Sequence, residues 1–191
     1  MSKLTGTESL SHNASTLEDL FFAKRDALLM KNKKEQITLE TRRQSLKEHT
    51  SFSEKTIDEL AALGIDYTAL KVVSLIPLIQ VAWADNYMDS KEIEAILRAA
   101  HAEGIEEDSV EFSLVEHWIN ENPDPSLFQA WKDFTADSIK NMANEDIEIL
   151  KSHILNISQK VAESAGGFLG FGSVSDVEQV VIKQIKAAFQ R

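Results

Sequence analysis

The chain contains no cysteine. Disulfide frameworks, zinc–thiolate sites, iron–sulfur clusters and thiol catalysis are therefore excluded, and any metal must be held by oxygen or by a histidine nitrogen. Proline and glycine are scarce too, three and seven among 191 residues. So little punctuation favours helices. Positive charge is outnumbered, with 20 Lys and Arg against 31 Asp and Glu and a net charge of −11. A general nucleic-acid binder needs a basic face to neutralise phosphate, so that class is set aside. Long apolar runs are missing as well. The most apolar stretch, Ala69 to Ala84, includes Lys71, Ser74, Pro77 and Gln80 and falls short of the ~20 apolar residues that a bilayer span needs. It predicts a central helix buried on nearly every side and kinked at Pro77. The first residues, Met1 to Glu8, lack the apolar core of a signal peptide, so a cytoplasmic location is expected.

The composition is otherwise that of an ordinary globular chain, 43% hydrophobic and 27% charged, enough for one domain with an appendage. The expected division is an N-terminal helical arm over residues 1–50 and a helical domain over 51–191. Residues 1–15 are polar and read as disordered. Ser15 or Thr16 can cap a helix that begins with Leu17, Leu20, Phe21 and Phe22 and runs uninterrupted to about Glu48. Between Lys24 and Lys47 this arm carries eight basic and three acidic residues, and its apolar positions thin out to Met30, Ile37, Leu39 and Leu46.

From Ser53 onward the helix signals come in close order. Ser53 starts a short helix that Gly64 stops, and Asp66 can cap the apolar helix after it. Asp89 and Glu92 have capping-box spacing for a helix ending at Gly104. A further helix spans about Ser109 to Asn120, and Asp124-Pro125 reads as N-cap and first position of the next. Asn144 caps another helix. Ser175-Asp176-Val177-Glu178 is a capping box opening a last helix through Phe189. No segment alternates with period two. The fold class is all-α, a bundle of about eight helices.

Two places share a syntax. Val81-Ala82 at a helix end leads through a turn to Asp89-x-x-Glu92, and Val161-Ala162-Glu163 leads through a longer loop to Ser175-x-x-Glu178. This is an internal pseudo-twofold repeat, weak in identity and consistent in position. The run Leu75-Ile76-Pro77-Leu78-Ile79-Gln80-Val81-Ala82-Trp83-Ala84-Asp85, followed by Asp89-x-x-Glu92, resembles the tellurite-resistance TerB-like family. The second half, Ala162 to Gly170 leading to Ser175-x-x-Glu178, looks like the counterpart in longer relatives. The likeness covers about residues 65–191. It implies a helical bundle with clustered carboxylates able to hold a divalent cation, and a link to stress or tellurite resistance. Carried over by position, the metal candidates are Asp85, Asp89, Glu92 and Glu178. Asn86 stands where the family has Gly, Ser164-Ala165-Gly166 where an Asp-Gly is expected, and Ser175 in place of an acid.

All-oxygen ligands suit Ca²⁺, Mg²⁺ or Mn²⁺ rather than zinc. The same acids serve equally as ordinary helix caps. The spacing is not that of an EF-hand, and Gly167-x-x-Gly170-x-Gly172 comes after a helix and lacks the lysine of a phosphate loop. It reads instead as an interhelix loop with Phe168, Leu169 and Phe171 tucked onto the bundle or open as a contact site. The five histidines show no metal pair at helical spacing, and His101 is expected in a surface ion cluster with Glu94 and Arg98. No nucleophile with a base is evident, so no catalytic residue and no organic cofactor are expected.

Charge is segregated. Ala99 to Trp131 holds eight acids and no Lys or Arg. The basic arm can therefore meet its own acidic face, a neighbour's, or an outside anion such as a membrane surface. The expectation is a non-enzymatic module that binds a protein partner or itself, with one divalent hard cation. The alternative is a purely protein-interacting module without metal.

Overall fold

A computed structural model describes the backbone of residues 6–165 and 174–190, and the side chains from residue 24 onward apart from 26 and 165. Among the described residues there are eight α-helices, one 3-10 segment and no strand. The apolar groups of the glycine-rich stretch, Phe168, Leu169 and Phe171, and the Phe21-Phe22 pair lie outside the described side chains. Two compact units divide between Thr41 and Arg42.

The first unit is most of α1 (Gly6–His49), a helix of 44 residues. It begins at Gly6, ahead of the expected cap at Ser15 or Thr16. The reason lies in the composition beyond Gly6: no further glycine or proline occurs before residue 64, so nothing obliges the helix to start later. Ser and Thr are tolerated inside a helix when their hydroxyls bond back to it. Thr38 and Thr41 do so, donating to the carbonyls of Lys34 and Ile37 at 2.9 Å. The helix lacks an apolar stripe, with Met30 75% and Ile37 58% exposed.

The second unit begins within the last turns of α1, where Leu46 is fully buried. Arg43 and Lys47 there pair with Glu54 and Asp58 of α2 (Glu54–Ala62). Ser53 caps α2 and Gly64 ends it at φ +88°, the left-handed conformation that glycine takes without strain. Asp66 then accepts from the N–H groups of Thr68 and Ala69.

The expected kinked helix is two pieces, a 3-10 segment Leu70–Leu75 and α3 (Ile76–Ala82). Pro77 falls in the first turn of α3. Its missing N–H costs nothing there, whereas an α-helix running through it would clash with the carbonyl of Val73. The burial predicted for this stretch holds: Leu75, Ile76, Leu78, Ile79 and Val81 are at most 1% exposed.

Four helices come next in order: α4 (Ser90–Ala102), α5 (Val110–Asn120), α6 (Ser126–Ile139) and α7 (Asn144–Ala165). Asn144 is the first helical residue of α7 rather than its cap. Helix α6 starts one residue later than expected, although Asp124 still accepts from the Ser126 N–H at 2.8 Å. Helix α8 (Asp176–Ala187) closes the chain. The central α3 packs on α6, α7 and α8, α7 packs also on α4, and α2 lies on α6.

Two polar ties join elements far apart in sequence. Asp137 on α6 accepts from the Ser53 N–H at 2.8 Å, from the Ser53 hydroxyl at 2.8 Å and from the Thr56 hydroxyl at 2.7 Å. Trp83, just past α3, donates its indole N–H to the Trp118 carbonyl of α5 at 2.8 Å.

Candidate functional site

The turn from α3 to α4 sets the first three candidate acids. After α3 ends, Asn86 takes φ +64°, the only non-glycine residue in the left-handed region among the described residues. Asparagine tolerates that conformation better than most residues, so it can stand in for the glycine expected there. The exposed Asp85 folds back to accept from the Tyr87 N–H at 2.9 Å. Asp89 caps α4, accepting from the Lys91 N–H at 2.8 Å. Glu92 completes the box by accepting from the Asp89 N–H at 2.8 Å.

The fourth acid sits in the second capping box, at the start of α8. Glu178 accepts from the Ser175 N–H at 2.6 Å, and the Ser175 hydroxyl accepts from the Glu178 N–H at 3.3 Å. Both capping boxes expected from sequence are therefore formed, and in both the glutamate is buried: Glu92 is 3% exposed and Glu178 9%.

Burial of a glutamate in a first helical turn needs a reason, since that position normally faces water. Here the turns of α4 and α8 both face the bundle interior. Desolvation pushes the Glu92 carboxyl up to about 7, against the Asp89 N–H that favours its charge; Glu178, Asp85 and Asp89 push it further up by like-charge repulsion. The four candidates thus share one electrostatic neighbourhood, and none of them forms a salt bridge within the described residues.

Each of the four accepts from at least one backbone N–H, and Asp89 accepts from those of both Lys91 and Glu92. Their remaining lone pairs match the donor type of a hard divalent cation, with carbonyls or water completing its shell. Among the described residues no three carboxylate or imidazole side chains are drawn together as a finished metal cage. Gathering them would require the exposed Asp85 and half-buried Asp89 to turn toward the buried pair.

The histidines lie elsewhere. His101 pairs with Glu107 at 3.8 Å, while Arg98 pairs with Glu94 at 3.4 Å, so the expected three-residue cluster is split. His153 meets Glu103 at 3.1 Å, and His49 stacks on Tyr67. Sequence reasoning missed Asp137, whose partners Ser53 and Thr56 lie more than 80 positions away and leave no local signal. Compared with protein-family models, with curated protein sequences and with solved structures, the chain gives no match.

Proposed function

We propose that this chain is a TerB-like helical module that works by binding rather than by catalysis, and that the capping boxes of α4 and α8 together take one divalent hard cation. The observation that carries the reading is the burial of Glu92 and Glu178 in equivalent boxes, with no cationic side chain paired to either among the described residues. A carboxylate held in a poorly hydrated place beside other acids favours a cation near it. Ca²⁺, Mg²⁺ or Mn²⁺ would be held by the carboxylate oxygens of Asp85, Asp89, Glu92 and Glu178. When bound it supplies the positive charge that the two glutamates lack. The chain's own part is to hold those two side chains by their N-cap N–H groups and to tie the start of α4 to the start of α8.

The family likeness adds the remainder: a cytoplasmic setting, a protein partner or self-association, and a link to stress or tellurite resistance. Calorimetric titration with Ca²⁺, Mg²⁺ and Mn²⁺ at pH 7.5 tests the cation, with Asp85→Ala and Glu92→Ala as comparisons. Saturable heat, a raised melting temperature and loss of both in Glu92→Ala are the expected results. Absence of heat and of thermal shift at millimolar cation overturns the cation reading and leaves the module purely protein-binding.

A further inference from the structure

Next to the α3–α4 turn lies an open cleft of about 900 Å³ between the end of α3, the loop before α6, α6 itself and α8. Its lining differs in chemistry from the rest of the protein. Asparagine and glutamine make up 16 of the 191 residues, yet five of the fourteen residues lining the cleft are amides: Gln80, Asn86, Asn122, Gln129 and Gln184. Charged residues, 27% of the chain, contribute only Asp124 and Lys132, one of each sign. A concave site rich in amides and poor in net charge suits a ligand that offers alternating donors and acceptors and no charge of its own.

Two ligand classes have that character, sugars and peptide main chain, and the aromatic groups choose between them. A saccharide site presents an open ring face. Phe128 has none, being stacked on Trp131 at 5.3 Å with the Lys132 ammonium over its ring at 5.3 Å. Trp83 is half-buried and spends its indole N–H on Trp118. An extended peptide needs no platform. It needs side-chain amides, which can pair with both N–H and C=O.

The cleft is also pre-arranged. Asn122 donates its side-chain amide to the Asn86 side-chain carbonyl at 3.2 Å, joining the two loops at the rim. Asn86 holds its left-handed backbone at the same spot, the kind of local cost that persists where surrounding structure fixes it. The side-chain amides of Gln80 and Gln184 make no hydrogen bond within the described residues and are free to meet a ligand.

We infer that this cleft binds an extended, uncharged peptide segment of a partner protein through its main chain. The inference deepens the partner-binding part of the reading above and is independent of the cation. A random heptapeptide library displayed on phage is selected against the full chain, and enriched sequences are made as free peptides blocked at both ends. Binding is measured in EDTA and again with Mg²⁺.

The expected result is micromolar binding of uncharged peptides, weakened about tenfold or more by Gln80→Ala with Gln184→Ala. N-methylation of central main-chain nitrogens should weaken it comparably on the unaltered protein. The inference is overturned if nothing is enriched, if neither change affects binding, or if maltoheptaose displaces the peptides. Peptide binding in EDTA without any cation response would strike the cation alone, and the reverse would strike only the cleft.

Discussion

Glu92 and Glu178 occupy the same position in two capping boxes 86 residues apart, and each accepts a hydrogen bond from the N–H of its own N-cap residue. A capping glutamate ordinarily keeps its other oxygen in water. In this bundle both are turned inward, and at Glu92 that burial ties the stability of the fold to pH.

The Glu92 carboxyl is raised from the ordinary value to about 7 by burial and by neighbouring acids. Its favourable contribution is therefore full below the unfolded value near 4.5 and is lost as pH rises to about 7. Glu92→Gln keeps the acceptor that the capping box needs and removes the charge. In EDTA it should match the parent near pH 4.5 and exceed it at pH 8 by up to about 3 kcal/mol. Urea unfolding at the two pH values reads this directly, and a variant less stable at pH 8 would refute it.

Asp137 behaves with the opposite sign. Burial would raise its carboxyl, but hydrogen bonds from Lys140, Thr56 and Ser53 hold it well below the usual carboxylate range. Its contribution is present above the unfolded value near 3.8 and fades as pH falls toward the folded one. Asp137→Asn should cost about 2–3 kcal/mol at pH 7, because the cap of α2 loses its charged acceptor. The gap to the parent should narrow in acid, as chemical denaturation at pH 7 and pH 3 would show.

Backbone conformation separates two turn residues. At Gly64 an added Cβ would meet Leu114 at 3.5 Å and Arg42 at 3.9 Å, both ordinary contacts, so space is not the obstacle. The obstacle is the φ of +88°, where a side chain crowds its own backbone. Gly64→Ala is expected to cost about 1–2 kcal/mol. Asn86→Gly relieves the same strain at φ +64° but gives up one exposed hydrogen bond, for a net change within about 0.5 kcal/mol. Thermal melts of the two variants should therefore separate clearly.

Helix α1 becomes part of the core only near its end. Leu46 is fully buried and Ile37 is 58% exposed, nine positions apart on one helix. Leu46→Ala should cost about 2–5 kcal/mol, and Ile37→Ala no more than about 0.5 kcal/mol. Equal effects in urea titrations would contradict this.

Much of the fold is legible in the residues themselves. Ser53, Asp89, Ser109 and Ser175 each announce a helix start, and each caps one. These signals are local, because a cap bonds only two or three residues ahead. Gly64 and Gly104 end helices for the same kind of reason, as positive φ is a property of one residue. The failures are also local in cause. Ser15 and Thr16 have a cap's chemistry but sit inside α1, since a cap residue allows a helix to start without compelling it. Pro77 has the signature of a kink, yet the chain begins a new helix there, because proline is as comfortable in a first turn as it is disruptive in a middle one.

Chemistry local to the chain suffices for the all-α class, most helix boundaries, the buried character of residues 69–84 and both capping boxes, because each depends on periodicity or on partners within one turn. It also makes any metal site oxygen- or imidazole-based, since no thiolate exists to compete. Tertiary packing alone turns Glu92 and Glu178 inward into one electrostatic neighbourhood, brings Asp137 to the start of α2 and lines one cleft with five scattered amides. Those facts depend on how helices distant in sequence pack, and packing is set by the summed fit of many apolar faces that no single motif records.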